Sequence, residues 1–150
     1  MNFDLNQEHK LIQKTSRDFA TNELLPEVLK RDENKIWPKE AVKKMAELGF
    51  LGMMVHEKYG GSGMDTISYS IAMEEIARVD AAASVIMSVN NSLVCSLLSK
   101  FGNEFQKEKY LKQLSKGKSL GAFSLSEPQS GSDASNMLTF AKKEGDAYVL

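Results

Sequence analysis

The chain has 150 residues, 42% hydrophobic and 26% charged, with 19 basic side chains against 20 acidic ones. That length buries roughly two-thirds of its unfolded surface and suits one domain, or one domain with part of a second. A net charge of −1 and a pI near 6.1 argue against phosphate-driven nucleic-acid binding, and a lone Cys95 with only His9 and His56 leaves neither an internal disulfide nor a zinc spacing.

Met1 to Lys10 carries Asp4, Glu8 and Lys10 before any apolar run, so neither a signal nor a transit peptide is expected. Leu11, Ile12, Thr15, Phe19, Leu24 and Val28 then form one apolar stripe at near-helical period, with Asn6 as N-cap and Glu8 in the first turn. Pro26 interrupts it, pushing Leu25 off helical angles and forcing a kink or a restart. A second helix opens with Pro38 at its first position and ends at Gly49, burying Val42, Met45, Ala46 and Leu48.

Phe50 to Met64 reads as a connector. Leu51, Met53 and Val55 alternate like a short extended piece, and Gly60, Gly61 and Gly63 make a flexible link. A phosphate-loop reading of these glycines fails for want of the Gly-Lys-Ser/Thr ending. Asp65 caps a third helix burying Ile67, Ile71, Ala72 and Ile76, and Asp80 caps a fourth. From Ala81 through Ser99 that fourth helix has 19 residues without a charge. Its length would span a bilayer, but five serines and Asn90–Asn91 favour a buried helix central to a bundle. Asn103 and Gln106 form a capping box for a last helix ending at Gly117, with Lys107, Glu108, Lys109 and Lys112 on its solvated face. His56 is expected to be a surface polar residue, Cys95 a buried inert thiol, and Met53, Met54, Met64, Met73 and Met87 core fillers.

After Gly117 the period changes to two. Leu120 to Ser126 reads as a strand, Glu127 to Asp133 as a turn-rich loop, Leu138 to Lys142 as a second strand, and Ala147 to Leu150 as a third after a turn at Glu144–Asp146. The expected architecture is mainly α: a helical domain over 1–118, then the truncated start of a β-domain over 119–150. The stretch Phe123 to Asp133 places a Pro, a Gly and several serines beside free backbone donors, a composition that cradles a diphosphate without lysine. On spacing alone a plain surface turn is the better account.

That stretch resembles the flavin motif of the acyl-CoA dehydrogenase family: an aromatic (Phe123), two residues, Ser126, Glu127-Pro128, then Gly131-Ser132-Asp133. Trp37-Pro38-Lys39-Glu40, Leu48-Gly49-Phe50-Leu51-Gly52, Tyr59-Gly60-Gly61-Ser62-Gly63, Gln106 to Leu111 and Gly145 to Leu150 resemble family landmarks in family order. Ser88 to Cys95 is most similar to the short-chain, butyryl-type members. The resemblance implies an amino-terminal helical domain, a middle β-domain and a carboxy-terminal bundle, assembled as a homotetramer or dimer. It implies FAD, oxidation of an acyl-CoA to the trans-2-enoyl-CoA, and electron delivery to an electron-transferring flavoprotein. Carried over by position, Phe123, Ser124, Leu125, Ser126, Glu127, Pro128, Gln129, Ser130, Gly131 and Ser132 would line the FAD. Leu125 and Ser126 would meet the isoalloxazine edge, and Ser132 the diphosphate and the acyl-CoA. Val89 and Leu93, four apart on the uncharged helix, would wall the acyl chain.

The departures from the motif are mild: Phe123 where tyrosine is common, Ser126 for threonine, and Gln129–Ser130 for a smaller pair. The family's catalytic glutamate comes from the carboxy-terminal bundle and no carboxylate here matches it, so no catalytic residue is assigned and the chain alone is expected to be inactive. No metal is expected. The implied compartment is the bacterial cytoplasm or, in a eukaryote, the mitochondrial matrix. The competing readings are an acyl-CoA oxidase-type flavoenzyme, separated by oxygen reactivity, and a non-enzymatic helical module binding acyl-CoA or a protein.

Overall fold

The computed structural model describes residues 4–150, so Met1–Phe3, where the stretch read for a leader begins, lie outside the described residues. Asn6 caps α1 (Gln7–Phe19) as its sequence requires, its side chain accepting from the His9 N–H at 2.7 Å. Ile12, Ser16 and Phe19 are the buried residues of α1. Leu11 and Thr15 lie one residue off that i, i+4, i+7 stripe and face solvent instead.

Pro26 is absorbed without a break. Leu25 keeps helical angles (φ −55°, ψ −42°), contrary to the expectation from the following proline. The ladder widens to a π turn over Ala20–Leu24, where the Leu25 N–H reaches Ala20 O, and tightens to a 3₁₀ turn over Leu25–Glu27. α2 (Val28–Glu33) then restarts the helix. A proline can neither donate to the carbonyl four residues back nor tolerate its closeness, so the ladder changes pitch around it.

α3 (Lys39–Glu47) starts one residue later than read, with Pro38 as its cap. Gly49, at φ +79°, closes it with an N–H bond to Ala46 O of 3.0 Å. Ala41, Val42 and Met45 are buried, whereas Leu48, in the last turn, points out. α4 (Thr66–Ala77) is capped by Asp65, which accepts from the Ser68 N–H at 2.7 Å, and packs on α1. It buries Ile71, Ala72 and Ile76 but exposes Ile67, in its first turn. Glu75 is also buried there. It is held by Arg17 through two bonds of 2.6 and 3.0 Å and by Arg78 at 3.3 Å, and the Arg17 hydrogen bond holds its carboxyl below the usual carboxylate range.

The connector is not extended. Phe50–Gly52 and Glu57–Tyr59 are 3₁₀ turns, and Phe50, Leu51, Met53 and Val55 are all buried rather than alternating. The glycine stretch is ordered too. Ser62 N–H bonds Gly52 O, Gly63 N–H bonds Val55 O and Met64 N–H bonds Met53 O, so it folds back over the turn before it. A Cβ on Gly61 would sit 2.1 Å from Val55 O, which is why no larger residue fits.

The uncharged helix is continuous over Ala81–Phe101, built as α5 (Ala81–Ser88), a π turn (Val89–Cys95) and α6 (Ser96–Phe101). Asp80 caps it through the Ala83 N–H at 2.9 Å and takes an ion pair from Arg31, also 2.9 Å. By length and composition this helix could cross a membrane. Three of its polar residues point inward: Ser84, Asn90 and Asn91 are buried with Ala83, Met87 and Cys95, while Ser99 is exposed. The opposite face, with Val85, Leu93, Leu97 and Phe101, is open, so the helix is not buried all round as expected.

The capping box of Asn103 and Gln106 forms with both bonds at 2.9 Å, opening α7 (Glu104–Gln106), a π turn (Lys107–Leu111) and α8 (Lys112–Ser115). Lys118 N–H to Gln113 O and Gly117 N–H to Leu114 O end it in a Schellman pair. Beyond it, the expected strand across Leu120–Ser126 is an extended, unpaired segment. The second strand begins later than read, as β1 (Lys142–Glu144), paired antiparallel with β2 (Ala147–Val149) with Lys143 opposite Tyr148. A strand is defined by its partner edge, and among the described residues none lies beside 121–126. The fold is therefore mainly α, as expected, around a core that includes Ala20, Leu24, Met45, Leu51, Ile76 and Met87, with Phe19 edge-on to Phe50 at 5.5 Å.

Glu75→Gln should lower stability by about 1–2 kcal/mol at pH 7, the scale of lost charged hydrogen bonds. Because the folded-state pKa of Glu75 is depressed, wild type holds this advantage above the unfolded value of about 4.3 and loses it as pH falls through the lower folded value. Urea melts at pH 7 and pH 3 should show the gap between the two proteins narrowing at the lower pH.

Candidate functional site

Two pieces of backbone make the candidate site: the π turn Val89–Cys95 and the segment from Gly121 to Ser132. A π turn closes its hydrogen bonds one residue wider than an α-helix, and such turns are frequent at functional sites. Asn90 and Asn91 are both buried here. Asn90 Nδ2 donates to Leu51 O at 2.7 Å and Leu114 O at 3.1 Å, and its Oδ1 accepts the Gly121 N–H at 2.9 Å. Asn91 Nδ2 donates to Phe50 O at 2.8 Å and Met87 O at 3.0 Å. The sequence reading used these asparagines only as evidence against a membrane span. The signal for more was an adjacent amide pair in an otherwise uncharged helix, because buried amides must find partners.

Gly121 is seated on the helix through more than its N–H. A Cβ there would lie 2.7 Å from Val94 Cβ, so the segment crosses the helix at backbone distance. From that crossing the chain runs out exposed: Phe123 and Leu125 are each 43% accessible and Ser124, Ser126, Pro128 and Gln129 face solvent. Ser126 and Ser132 present their hydroxyls outward, and a Cβ on Gly131 would meet nothing.

Glu127 and Ser130, both expected from the motif to line FAD, are turned into their own loop instead. Glu127 N–H bonds Ser130 O at 2.9 Å, the Ser130 N–H returns to Glu127 O at 3.0 Å, and buried Ser130 donates its hydroxyl to Asp133 O at 2.8 Å. The Glu127 carboxylate accepts from the Leu138 N–H at 2.8 Å, from the Thr139 N–H at 3.1 Å and from Gln129 Nε2. The Thr139 side chain first, then the Leu138 N–H, pull its pKa down to about 2. Both residues close the loop on itself, and Asp133 continues it by capping the turn Ala134–Asn136.

This geometry fits an anionic, planar cofactor at the segment. The exposed hydroxyls and open backbone of 122–126 and 131–132 are free to donate, and the one carboxylate within 123–132 is tied off by backbone donors. Val89 is half-buried and Leu93 exposed on the open helix face, so the structure brings the segment to the helix through Asn90 and Val94 rather than through them. Two open grooves of about 420 and 480 Å³ lie elsewhere, one beside Phe19 and Leu48, the other between Trp37, Val42 and Leu120. No metal cluster occurs among the described residues. Burial pushes the Cys95 thiol up to about 12, which keeps it unreactive, and exposed His56 uses Nδ1 to accept the Lys58 N–H at 3.1 Å.

Residues 6–118 of this mainly helical chain match the family described as "Acyl-CoA dehydrogenase, N-terminal domain". The chain belongs to that family. It is 46% identical over 147 residues to the mitochondrial short-chain specific acyl-CoA dehydrogenase of Rattus norvegicus, covering 98% of this chain and 36% of that protein. The butyryl-CoA dehydrogenase structure of Megasphaera elsdenii superposes with a TM-score of 0.89 at 41% identity, covering 97% of this chain and 39% of the other. An acyl-CoA dehydrogenase of Bacillus anthracis complexed with FAD superposes with a TM-score of 0.84 at 38% identity over 92% of this chain and 24% of its own. This chain thus spans less than two-fifths of the length of these three proteins.

Glu127→Gln should loosen the loop. Amide exchange at Leu138 and Thr139 should rise at neutral pH. In wild type the depressed pKa keeps the carboxylate charged, so protection at both amides should persist at pH 3 and fail only as pH approaches about 2. Protection lost near pH 4 would show the carboxylate is not the group holding them.

Proposed function

We propose that this chain is the amino-terminal portion of an FAD-dependent acyl-CoA dehydrogenase that oxidises a short-chain acyl-CoA to its trans-2-enoyl-CoA. The observation that carries the proposal is the exposed, self-closed loop from Phe123 to Ser132, seated on the uncharged helix by Gly121. The identity to a short-chain enzyme across 98% of the chain supports the substrate class. In this reading 1–118 is the helical domain and 119–150 the entry to a β-domain.

Bound FAD supplies the hydride-accepting chemistry. Leu125 and Ser126 offer backbone groups and one hydroxyl to the isoalloxazine edge, and Ser132 offers its hydroxyl to the diphosphate and the acyl-CoA. Phe123, Ser124, Pro128, Gln129 and Gly131 complete the lining. Glu127 and Ser130 serve it indirectly by holding the loop closed. Val89 and Leu93 wall the acyl chain from the open face of the helix. No residue of this chain is assigned to remove the α-proton. The electron acceptor is an electron-transferring flavoprotein, the working assembly a homotetramer or dimer, and the compartment the bacterial cytoplasm or mitochondrial matrix.

The decisive test is anaerobic titration of the protein in its natural reading frame with butyryl-CoA while following flavin absorbance. A yellow protein that bleaches is expected. One that stays yellow places the substrate elsewhere in the superfamily, and one that never takes up FAD overturns the enzyme reading. Val89→Gly should extend the chain-length preference by lengthening the apolar space. An unaltered preference removes Val89 from the acyl wall.

A further inference from the structure

We infer that Asn90 is a positioning residue, whose buried side-chain oxygen registers the segment proposed to face the flavin against the helix proposed to wall the acyl chain. The inference rests on the flavin reading of 123–132 and adds the residue that fixes where that stretch begins.

The orientation of the Asn90 amide is set by its partners. Nδ2 faces two carbonyls, Leu51 O and Leu114 O, while Oδ1 faces an N–H, that of Gly121. Turned over, the amide would set an oxygen against two carbonyls and a donor against a donor, so only one orientation satisfies the site. Both donors are spent on the helical core, and the oxygen is what remains for the segment. One turn further along the helix, Val94 meets the Gly121 backbone so closely that a Cβ would come within 2.7 Å. Asn90 and Val94 therefore hold Gly121 at two points, fixing both its position and its direction. Beyond it, the next backbone tie is the local turn Glu127–Ser130, which bonds only within its own loop, so Gly121 is the point that places residues 122–126 against the helix. Val89 and Leu93 occupy the same π turn as Asn90.

Asn91 is the internal control. It is buried like its neighbour and bonds two carbonyls, but none of its hydrogen bonds reaches the 119–132 segment. Asn90→Ala and Asn91→Ala should both lower the melting temperature. In the full-length, FAD-loaded protein only Asn90→Ala should accelerate exchange of the Gly121 amide, and only it should raise the FAD dissociation constant, by about three- to tenfold, the loss of one hydrogen bond. It should also lower kcat with little change in KM. Equal effects of both variants on Gly121 exchange and FAD retention, or no effect of Asn90→Ala on either, overturn the inference. If Asn90→Ala does not fold, Gly121→Ala keeps every donor of Asn90 while lifting the segment off Val94, and unchanged FAD binding in that variant also overturns it. A wild-type protein that binds no FAD defeats the flavin reading itself, and the Gly121 exchange rate, which needs no cofactor, tells that failure apart from failure of the tether.

Discussion

One buried amide joins four parts of this molecule. Asn90 reaches the connector at Leu51, the end of α8 at Leu114 and the exposed segment at Gly121, from a helix with no charge of its own over Ala81–Ser99. A buried amide left unpaired is costly, so its partners must be present together for the fold to close. That requirement explains the short-range oddities around it. Gly52 packs against Ser115 so tightly that a Cβ would lie 2.6 Å from Ser115 O, which lets the connector and α8 come near enough to share one side chain. Asn90 and Asn91 sit in the π turn Val89–Cys95, and both are buried there.

The ion pairs act elsewhere and differently. Glu75 with Arg17 and Arg78, and Asp80 with Arg31, tie the first helical stretch to α4 and to the start of α5. Arg31 comes from α2, after the proline, and also donates to Leu24 O at 2.8 Å, inside the π turn that precedes the proline. The cost of removing a donor at Pro26 is thus offset by a charged side chain returning to the distorted ladder. Asp80 serves twice, as helix cap and as ion-pair partner, so one carboxylate fixes where the uncharged helix begins and where α2 lies.

What was legible in the sequence was local. The caps at Asn6, Asp65, Asp80 and Asn103, and the stops at Gly49 and Gly117, depend on a few neighbouring residues and form as read. What escaped depends on distant partners. Leu51, Met53 and Val55 are spaced like one face of a strand, yet the connector opens as a 3₁₀ turn with Phe50 and Gly52 buried as well, because it packs against residues far away in sequence. Leu11, Leu48 and Ile67 looked like core residues by period and are not, since each lies at the margin of its helix's contact face. At the candidate site the motif located the loop but ranked its residues alike. Nothing in the spacing separates the outward hydroxyls of Ser126 and Ser132 from Ser130, turned in to Asp133, or reveals that the Glu127 carboxylate is taken up by Leu138 and Thr139.

That separation bears on what this chain contributes chemically. A carboxylate next to an anionic diphosphate would repel it, and no lysine or arginine occurs between Ser119 and Ala141 to compensate. Glu127 stays charged at neutral pH, but its carboxylate is turned onto N–H groups of its own loop, and the exposed groups of 122–126 and 131–132 are neutral hydroxyls and amides. The same economy extends through the helix behind it, whose one thiol is held protonated by burial and whose amides are committed to carbonyls. The groups tied down at this face are the Glu127 carboxylate, the buried Cys95 thiol and the amides of Asn90 and Asn91. In the proposed reaction the role of this face is therefore placement: Gly121 fixes where the segment leaves the helix, the turn at Glu127–Ser130 closes the loop on itself five residues on, and an apolar helix face sets what lies alongside. A site of that kind fails by displacement rather than by loss of charge, so Gly121 should tolerate less change than any serine in the loop.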